Sequence, residues 1–335
     1  MTTKDIIVIG ASAGGVDALQ RLCSTLPPDL PAAVFVVQHL SPTARSMLPQ
    51  LLARAGVLPV RMPQDGDPIE QGVIYVAGPD LHLLVREGRV LTRRGPYENR
   101  TRPAVNALFR SAAVAYGSRV IGVVLTGLLD DGTEGLIAIK AAGGTSVVQD
   151  PGDAEWPSMP QNALKRDHVD HVLPLADLGA LLASLAREDA GPSTPLPPEY
   201  AVEDRIAAQD FAVMEPEIVT PGDASRISCP DCGGVLNQIV AEDEVRFRCQ
   251  VGHAFTPLGL ADAQNDELER ALGVAVRTHR DRMRLFTQMC ESAEARELPH
   301  AVRRWTLAMQ ETEQMVGVLE QAMASLRKPR SSGEA

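Results

Sequence analysis

Three residue types in the first half of the chain form the set that activates a hydroxyl for attack on a carbonyl. Ser12 stands in the turn GASAGG, His39 follows the run AAVFVVQ, and Asp130 and Asp131 follow VIGVVLTGLL. In such a set the histidine accepts the serine proton, and the carboxylate fixes the histidine tautomer and stabilises the imidazolium. The glycines at 10, 14 and 15 allow a tight turn after which helix amides face a developing oxyanion, aided by the helix dipole. Plainer roles are open to each residue. Ser12 can cap the next helix, His39 can be an idle loop residue, and Asp131 can cap a helix starting near Thr133. Asp130 competes with Asp131 for any catalytic part.

A second set lies near the other end. Cys229-Pro-Asp-Cys232 and Cys249-Gln-Val-Gly-His253 are two hooks that together supply four soft or borderline ligands, enough for a closed tetrahedral zinc site. The glycines after Cys232 suit a turn that brings backbone amides to the thiolates. About thirty residues could hardly bury a core unaided, which favours a structural ion over four unligated side chains. A filled four-ligand site is structural, so no cofactor is expected for the chemistry. Cys23 and Cys290 stand alone in helical patterns and read as buried apolar residues.

The elements that must position these residues alternate strand and helix over the first ~185 residues. DIIVIG (5–10), AAVFVVQ (32–38), VIYVA (73–77), RVIGVVLT (119–126) and TSVVQ (145–149) read as strands, with a hairpin made from LHLLV and VLT. Helices are expected near Gly15–Leu26, Arg45–Ala55, Pro103–Tyr116 and Thr133–Ala142. Near-continuous Val/Ile runs mean strands covered on both faces. The expected fold class is therefore α/β, doubly wound with a mostly parallel sheet, in which ligands bind at the carboxyl ends of the strands. Ser12, His39 and Asp131 all fall at such ends. A dinucleotide-binding reading of GASAGG is weak, because Ser12 stands where that fingerprint has glycine and Gln38-His39 stands where it wants an acid.

After Leu185 the texture changes. Residues 188–224, with EDAGPSTPLPPEY, read as a linker that would uncouple the later residues from the sheet. Residues 225–257 form the small zinc-ribbon-like module. Residues 258–328 form an α-helical tail of two or three amphipathic helices with a break near Glu297–Pro299. Leu268, Leu272, Val276, Met283 and Met289 read as a packed face, and the tail is expected to self-associate or dock a partner.

In order along the chain, IIVIGASAGGVDAL, VVQHL, DGDPIEQGVIYVAGPDLHLLV, RPAVNALFRSAA, GVVLTGLLDDGTEGLIAIKAAGG, VVQDP and SMPQNAL resemble the catalytic domain of CheB-type protein-glutamate methylesterases. The resemblance covers about residues 4–186, giving an esterase domain over 1–187. It implies Ser12 as nucleophile, His39 as base and Asp131, rather than Asp130, as the third member. It also implies hydrolysis of glutamate methyl esters on chemoreceptor-type helical proteins, with glutamine deamidation in some members. Ala13 stands where the family often has threonine, Leu128-Leu129 where it often has Met-Gly, and Asn106 where it usually has aspartate. These departures leave the triad intact and bear on the oxyanion surroundings and substrate choice. No receiver domain precedes the first strand, so a small phosphodonor is not expected to stimulate this chain.

Composition excludes several other functions. The net charge of −11 argues against a nucleic-acid partner held by phosphate contacts and against attraction to an anionic membrane surface. The apolar runs fall far below the roughly 20 residues needed to cross a bilayer. With no signal-peptide pattern, the expected location is cytoplasmic, where five cysteines are poor disulfide candidates. The function expected is a stand-alone methylesterase. Its rival is a catalytically weak signalling adaptor that uses the same fold and the zinc and helical parts for binding.

Overall fold

A computed structural model describes residues 2–39, 46–166, 168–209, 221–241 and 244–326. The elements begin with β1 (Ile6–Ala11), α1 (Gly15–Thr25), β2 (Ala33–Gln38), α2 (Leu48–Ala55), β3 (Val60–Arg61), β4 (Ile74–Val76), β5 (His82–Arg86) and β6 (Arg89–Arg93). Then come α3 (Val105–Tyr116), β7 (Val120–Val124), α4 (Thr133–Ala141), β8 (Thr145–Gln149), α5 (Ser158–Arg166), β9 (His171–Leu173) and α6 (Leu175–Leu185). The remainder is α7 (Pro198–Ala207), β10 (Asp223–Ser228), β11 (Val235–Ala241), β12 (Glu244–Cys249), β13 (Ala254–Phe255), α8 (Pro257–Ala295) and α9 (Pro299–Leu326).

The main sheet has seven strands in the order β3-β4-β2-β1-β7-β8-β9, and every pairing in it is parallel. Its Val/Ile runs are explained by two apolar layers. Ile6 and Val8 of β1 pack with Leu108 and Phe109 of α3, Leu136 and Ile139 of α4 and Met159 of α5. Ile7 and Ile9 pack on the opposite face with Leu19 and Leu22 of α1, Leu52 of α2 and Leu178 and Leu182 of α6. Alternate residues of one strand thus face two cores, each fully buried side chain being worth about 1.5–3 kcal/mol. The hairpin β5–β6 is a separate antiparallel ribbon. The helix expected near Arg45–Ala55 begins at Leu48, and residues 40–45, with Leu40 of the VVQHL motif, lie outside the described residues.

Strand order reverses between β1 and β7: from β1 the chain builds outward through β2, and from β7 through β8 and β9. Loops diverge at such a switch point and leave a crevice beyond the strand ends. Gly10 lets α3 approach the end of β1, since a Cβ there would lie 2.2 Å from Cγ1 of Val105. The N-terminus of α3 is thereby brought to the crevice.

The chain divides into two compact units, Met1–Leu260 and Ala261–Ala335. The first holds both the parallel sheet and a four-stranded antiparallel sheet, β10-β11-β12-β13, that carries the cysteines. Within 188–224, expected as a linker, Pro198–Ala207 is a helix that buries Tyr200, Glu203 and Ile206, while residues 210–220 lie outside the described ones. The second unit contains most of α8 and all of α9, with a break between them as expected; residues 327 and 328 lie outside the described range. Phe286 stacks on Trp305 at 5.5 Å and Arg280 pairs with Glu320 across this hairpin. Among the described residues, no helix is long and apolar enough to cross a membrane.

Candidate active site and metal centre

Ser12 follows β1, His39 follows β2, and Asp131 lies in the loop between β7 and α4. The fold brings the three together. Ser12 Oγ lies 3.2 Å from His39 Nδ1, and His39 Nε2 lies 2.8 Å from Asp131 Oδ2. The arrangement requires the tautomer in which Nε2–H donates to the carboxylate and Nδ1 accepts from the serine hydroxyl. Ser12 and His39 keep partial exposure, while Asp131 is buried.

Asp131 is held from four sides. Its Oδ2 accepts from Val105 N at 2.7 Å as well as from His39, and its Oδ1 accepts from Asn106 N at 3.1 Å and Gly132 N at 3.0 Å. Val105 and Asn106 open α3, so two otherwise orphaned helix amides and the positive end of the helix dipole meet the carboxylate. The start of α3 is tied in turn by His82. Its Nε2–H donates to Pro96 O at 2.8 Å and its Nδ1 accepts from Ala104 N at 3.3 Å. Burial lowers the pKa of His82 and keeps it in the neutral form these two bonds need.

Ser12 is fixed through its backbone. Its N–H donates to Thr126 O at 3.0 Å and its carbonyl accepts from Gln38 Nε2 at 2.7 Å. Gly14, at φ 72, makes the turn into α1. The hydroxyl of Ser12 therefore points to His39 and makes no cap bond to α1. Leu128 and Trp156 are exposed beside this crevice, on the β7–α4 loop and the approach to α5.

Asp130 does not compete for His39. Its Oδ1 accepts from Thr256 Oγ1 at 2.9 Å, and Arg166 lies 3.7 Å from its Oδ2. Burial pushes its carboxyl up to about 6 despite the Thr256 bond, and the neighbouring Asp131 charge adds to the rise.

Two contributors are not visible from residue types alone. Asn106 reads in the sequence only as a departure from the family pattern, yet its side-chain Oδ1 accepts from Gly132 N and Gly135 N, both at 2.9 Å, and so caps α4 next to Asp131. The second is a buried ionic cluster. Arg110 pairs bidentately with Glu98 at 2.5 and 3.1 Å, Arg246 binds Glu203 at 2.8 Å, and Arg248 sits 3.4 Å from Glu98. Burial alone would raise the Glu98 carboxyl, but Arg110 and Arg248 override it and hold it at about 2.

Cys229, Cys232, Cys249 and His253 converge, with all four ligand atoms within 4.8 Å of one another. Cys229 Sγ–His253 Nδ1 is 3.7 Å, Cys249 Sγ–His253 Nδ1 3.6 Å and Cys232 Sγ–Cys249 Sγ 3.7 Å. Tetrahedral zinc with ordinary bond lengths sets ligand separations of about 3.6–3.8 Å. The donor set therefore fits such an ion. The amides of Asp231 and Cys232 face the Cys229 sulfur, and none of the five cysteines is paired in a disulfide. Cys23 and Cys290 are buried in helices, as their surroundings in the sequence suggested.

The family model described as CheB methylesterase matches residues 7–182, more than half of the chain. The chain is 37% identical over 194 residues to protein-glutamate methylesterase/protein-glutamine glutaminase 2 of Methanosarcina mazei, covering 56% of this chain and 53% of that one. It is 40% identical over 183 residues to the protein of the same name from Anaeromyxobacter dehalogenans, covering 55% and 54%. It is 35% identical to a putative protein-glutamate methylesterase/protein-glutamine glutaminase of Leptospira interrogans, covering 54% of this chain and 94% of that one. The chain thus spans about half the length of the first two relatives. The crystal structure of the Thermotoga maritima CheB methylesterase catalytic domain is 33% identical and superposes with a TM-score of 0.52, covering 55% of this chain and all of that one. Family model, sequence relatives and fold agree on the segment that carries Ser12, His39 and Asp131, and the chain belongs to the CheB methylesterase family.

Proposed function

We propose that the chain hydrolyses glutamate γ-methyl esters on chemoreceptor-type helical proteins through Ser12, His39 and Asp131. The observation that carries the reading is the continuous chain of contacts, Ser12 Oγ to His39 Nδ1 and His39 Nε2 to Asp131 Oδ2, at the switch point of a family member's sheet. His39 takes the Ser12 proton as Oγ bonds to the ester carbonyl carbon. Collapse of the tetrahedral adduct breaks the C–O bond, methanol leaves with the proton from His39, and an acyl-enzyme remains. Water attacks with His39 again as base, freeing the glutamate carboxylate and the serine hydroxyl. Amides at the start of α1 are the donors for the oxyanion, because the first turn of a helix leaves its N–H groups without intrahelical partners. A glutamine substrate gives the same acyl-enzyme with ammonia leaving, in keeping with the double name of the relatives.

No cofactor enters this chemistry. Cys229, Cys232, Cys249 and His253 bind one structural zinc ion, supported by their convergence within 4.8 Å and by three separations of 3.6–3.7 Å, the spacing of a tetrahedral site. The experiment is turnover of a methylated receptor fragment by wild type and Ser12→Ala. Wild-type turnover that vanishes in a folded Ser12→Ala variant is expected. Equal rates would sink the assignment, and no turnover by either would favour a binding role.

A further inference from the structure

The cysteine module is built into the esterase rather than tethered to it. Ala254 N donates to Tyr97 O at 3.1 Å and Asn99 N donates to Ala254 O at 2.8 Å, so β13 continues onto the segment that leads into α3. Gly252 packs so closely there that a Cβ on it would lie 2.6 Å from Pro96 Cγ. Arg248 donates to Gly252 O at 2.7 Å and lies against Glu98, joining the Cys249–His253 hook to the buried ionic cluster and through it to Arg110 of α3. This is the opposite of the uncoupled module that the proline-rich stretch suggested.

Three residues beyond His253 stands Thr256. It is buried, its backbone N–H is held by Asn99 Oδ1 at 2.9 Å, and its hydroxyl does two jobs at once. It accepts from Gly259 N at 2.9 Å, capping α8, and donates to Asp130 Oδ1 at 2.9 Å. The cap occupies an acceptor lone pair, which leaves the single O–H to Asp130. Asp130 precedes Asp131 in the chain, and Leu129 before it is held at φ 61, so the loop has little slack.

We propose that Thr256 is a positioning residue for the catalytic loop, and that ion loading of the Cys229, Cys232, Cys249 and His253 cluster is transmitted to the triad by the Thr256–Asp130 bond. The inference rests on the reading of Asp131 as the triad carboxylate. With the ion bound, the hook from Cys249 to His253 fixes where Thr256 stands, and Thr256 fixes Asp130 and hence the orientation of Asp131 against His39. Without it, the hook is free to relax and the catalytic carboxylate loses one of its anchors.

The test uses the full chain, a small carboxylic ester, and Thr256→Val, Thr256→Ser and Asp130→Ala. Thr256→Val should lower kcat by roughly ten- to a hundredfold with KM unchanged, up to the cost of displacing a catalytic group by about 1 Å. Thr256→Ser should restore it. Asp130→Ala, which leaves the α8 cap intact, should lose kcat to the same degree. Metal content should stay equal across the three, and the Gly132 amide should exchange with solvent faster in Thr256→Val and in chelator-treated wild type. Metal removal should cost wild type about the factor that Thr256→Val costs, and cost Thr256→Val little more. Wild-type kcat and Gly132 protection in Thr256→Val, with Ser12→Ala inactive, would overturn the proposal and leave the triad standing. Proportionally equal loss on metal removal in wild type and Thr256→Val would overturn the transmission. An active Ser12→Ala would instead remove the triad reading itself.

Discussion

Asn106 grips Asp131 and the turn behind it at the same time: its backbone N–H donates to Asp131 Oδ1 at 3.1 Å while its own Oδ1 accepts from Gly132 N at 2.9 Å. One residue at the start of α3 therefore sets both the carboxylate and the first turn of α4. Among the described residues the carboxylate accepts four hydrogen bonds, from Val105, Asn106, Gly132 and His39. A group so fully engaged has one orientation, which is what fixing a histidine tautomer requires.

Asn106→Leu should therefore hurt stability and catalysis together. The variant leaves the buried amide of Gly135 without an acceptor, at about 1–3 kcal/mol, and leaves Gly132 N only its bond to Asp131 Oδ1. Asn106→Asp keeps the acceptor and adds a charge at the N-terminus of α4, where a negative group is favoured. Denaturant unfolding and kcat measured side by side should show a large loss in Leu and a small effect in Asp. Loss of activity in both with full stability would mean that Asn106 acts on substrate and not through the turn.

The two aspartates should separate cleanly. Asp131→Asn cannot hold the same histidine tautomer and should lose roughly 10³–10⁴ in kcat. Asp130→Asn keeps an oxygen for Thr256 and should stay within several-fold of wild type. Rates on one ester for both variants decide it, and the reverse ranking would mean that His39 turns to the other carboxylate during turnover.

The parts legible in the sequence are those whose cause is local. β1, β2 and β7 announce themselves because both faces are buried, which forces unbroken Val/Ile runs. β3 and β9, two and three residues long, are too short to carry a pattern, and their residues are half-exposed or exposed. Ser12 and His39 could be placed at strand ends from the run lengths alone. Spacing could not choose between Asp130 and Asp131, since adjacent residues share a loop and only the tertiary contacts of α3 and Thr256 separate them. The Glu98, Arg110, Glu203, Arg246 and Arg248 cluster spans 150 residues, and charged side chains ordinarily belong to solvated faces. Helix α7 was hidden for the same reason, because prolines frame it and its buried Glu203 reads as polar linker.

Protein purified without added metal should carry close to one zinc ion per chain, falling towards zero in Cys229→Ser. Elemental analysis gives the stoichiometry directly. Because the module shares buried surface with α3 and α7, the melting temperature of the whole first unit should drop when a strong chelator removes the ion. A metal-free native protein would contradict the assignment. A loaded protein whose unfolding is indifferent to the chelator would contradict the shared core.

Stability should also depend on pH through Asp130, with a sign set by its burial. Its carboxyl is pushed up to about 6, first by burial and further by the charge of Asp131, against the opposing hydrogen bond from Thr256 and the pull of Arg166. Glu134 lies on the same side and is itself raised by burial. In the unfolded chain the group titrates near its ordinary value of ~3.9. Between those two values the folded state holds a proton that the unfolded state has lost, so stability falls as pH rises. The contribution of Asp130 is full below about pH 4 and gone once pH has passed about 6. Asp130→Asn removes this titration while keeping the acceptor for Thr256. Relative to wild type, the variant should gain about 2–3 kcal/mol of unfolding free energy between about pH 4 and pH 8, read from urea denaturation at each pH. A constant difference across that range would mean that Asp130 is already ionised in the folded chain at acid pH, and that Arg166 and Thr256 outweigh its burial.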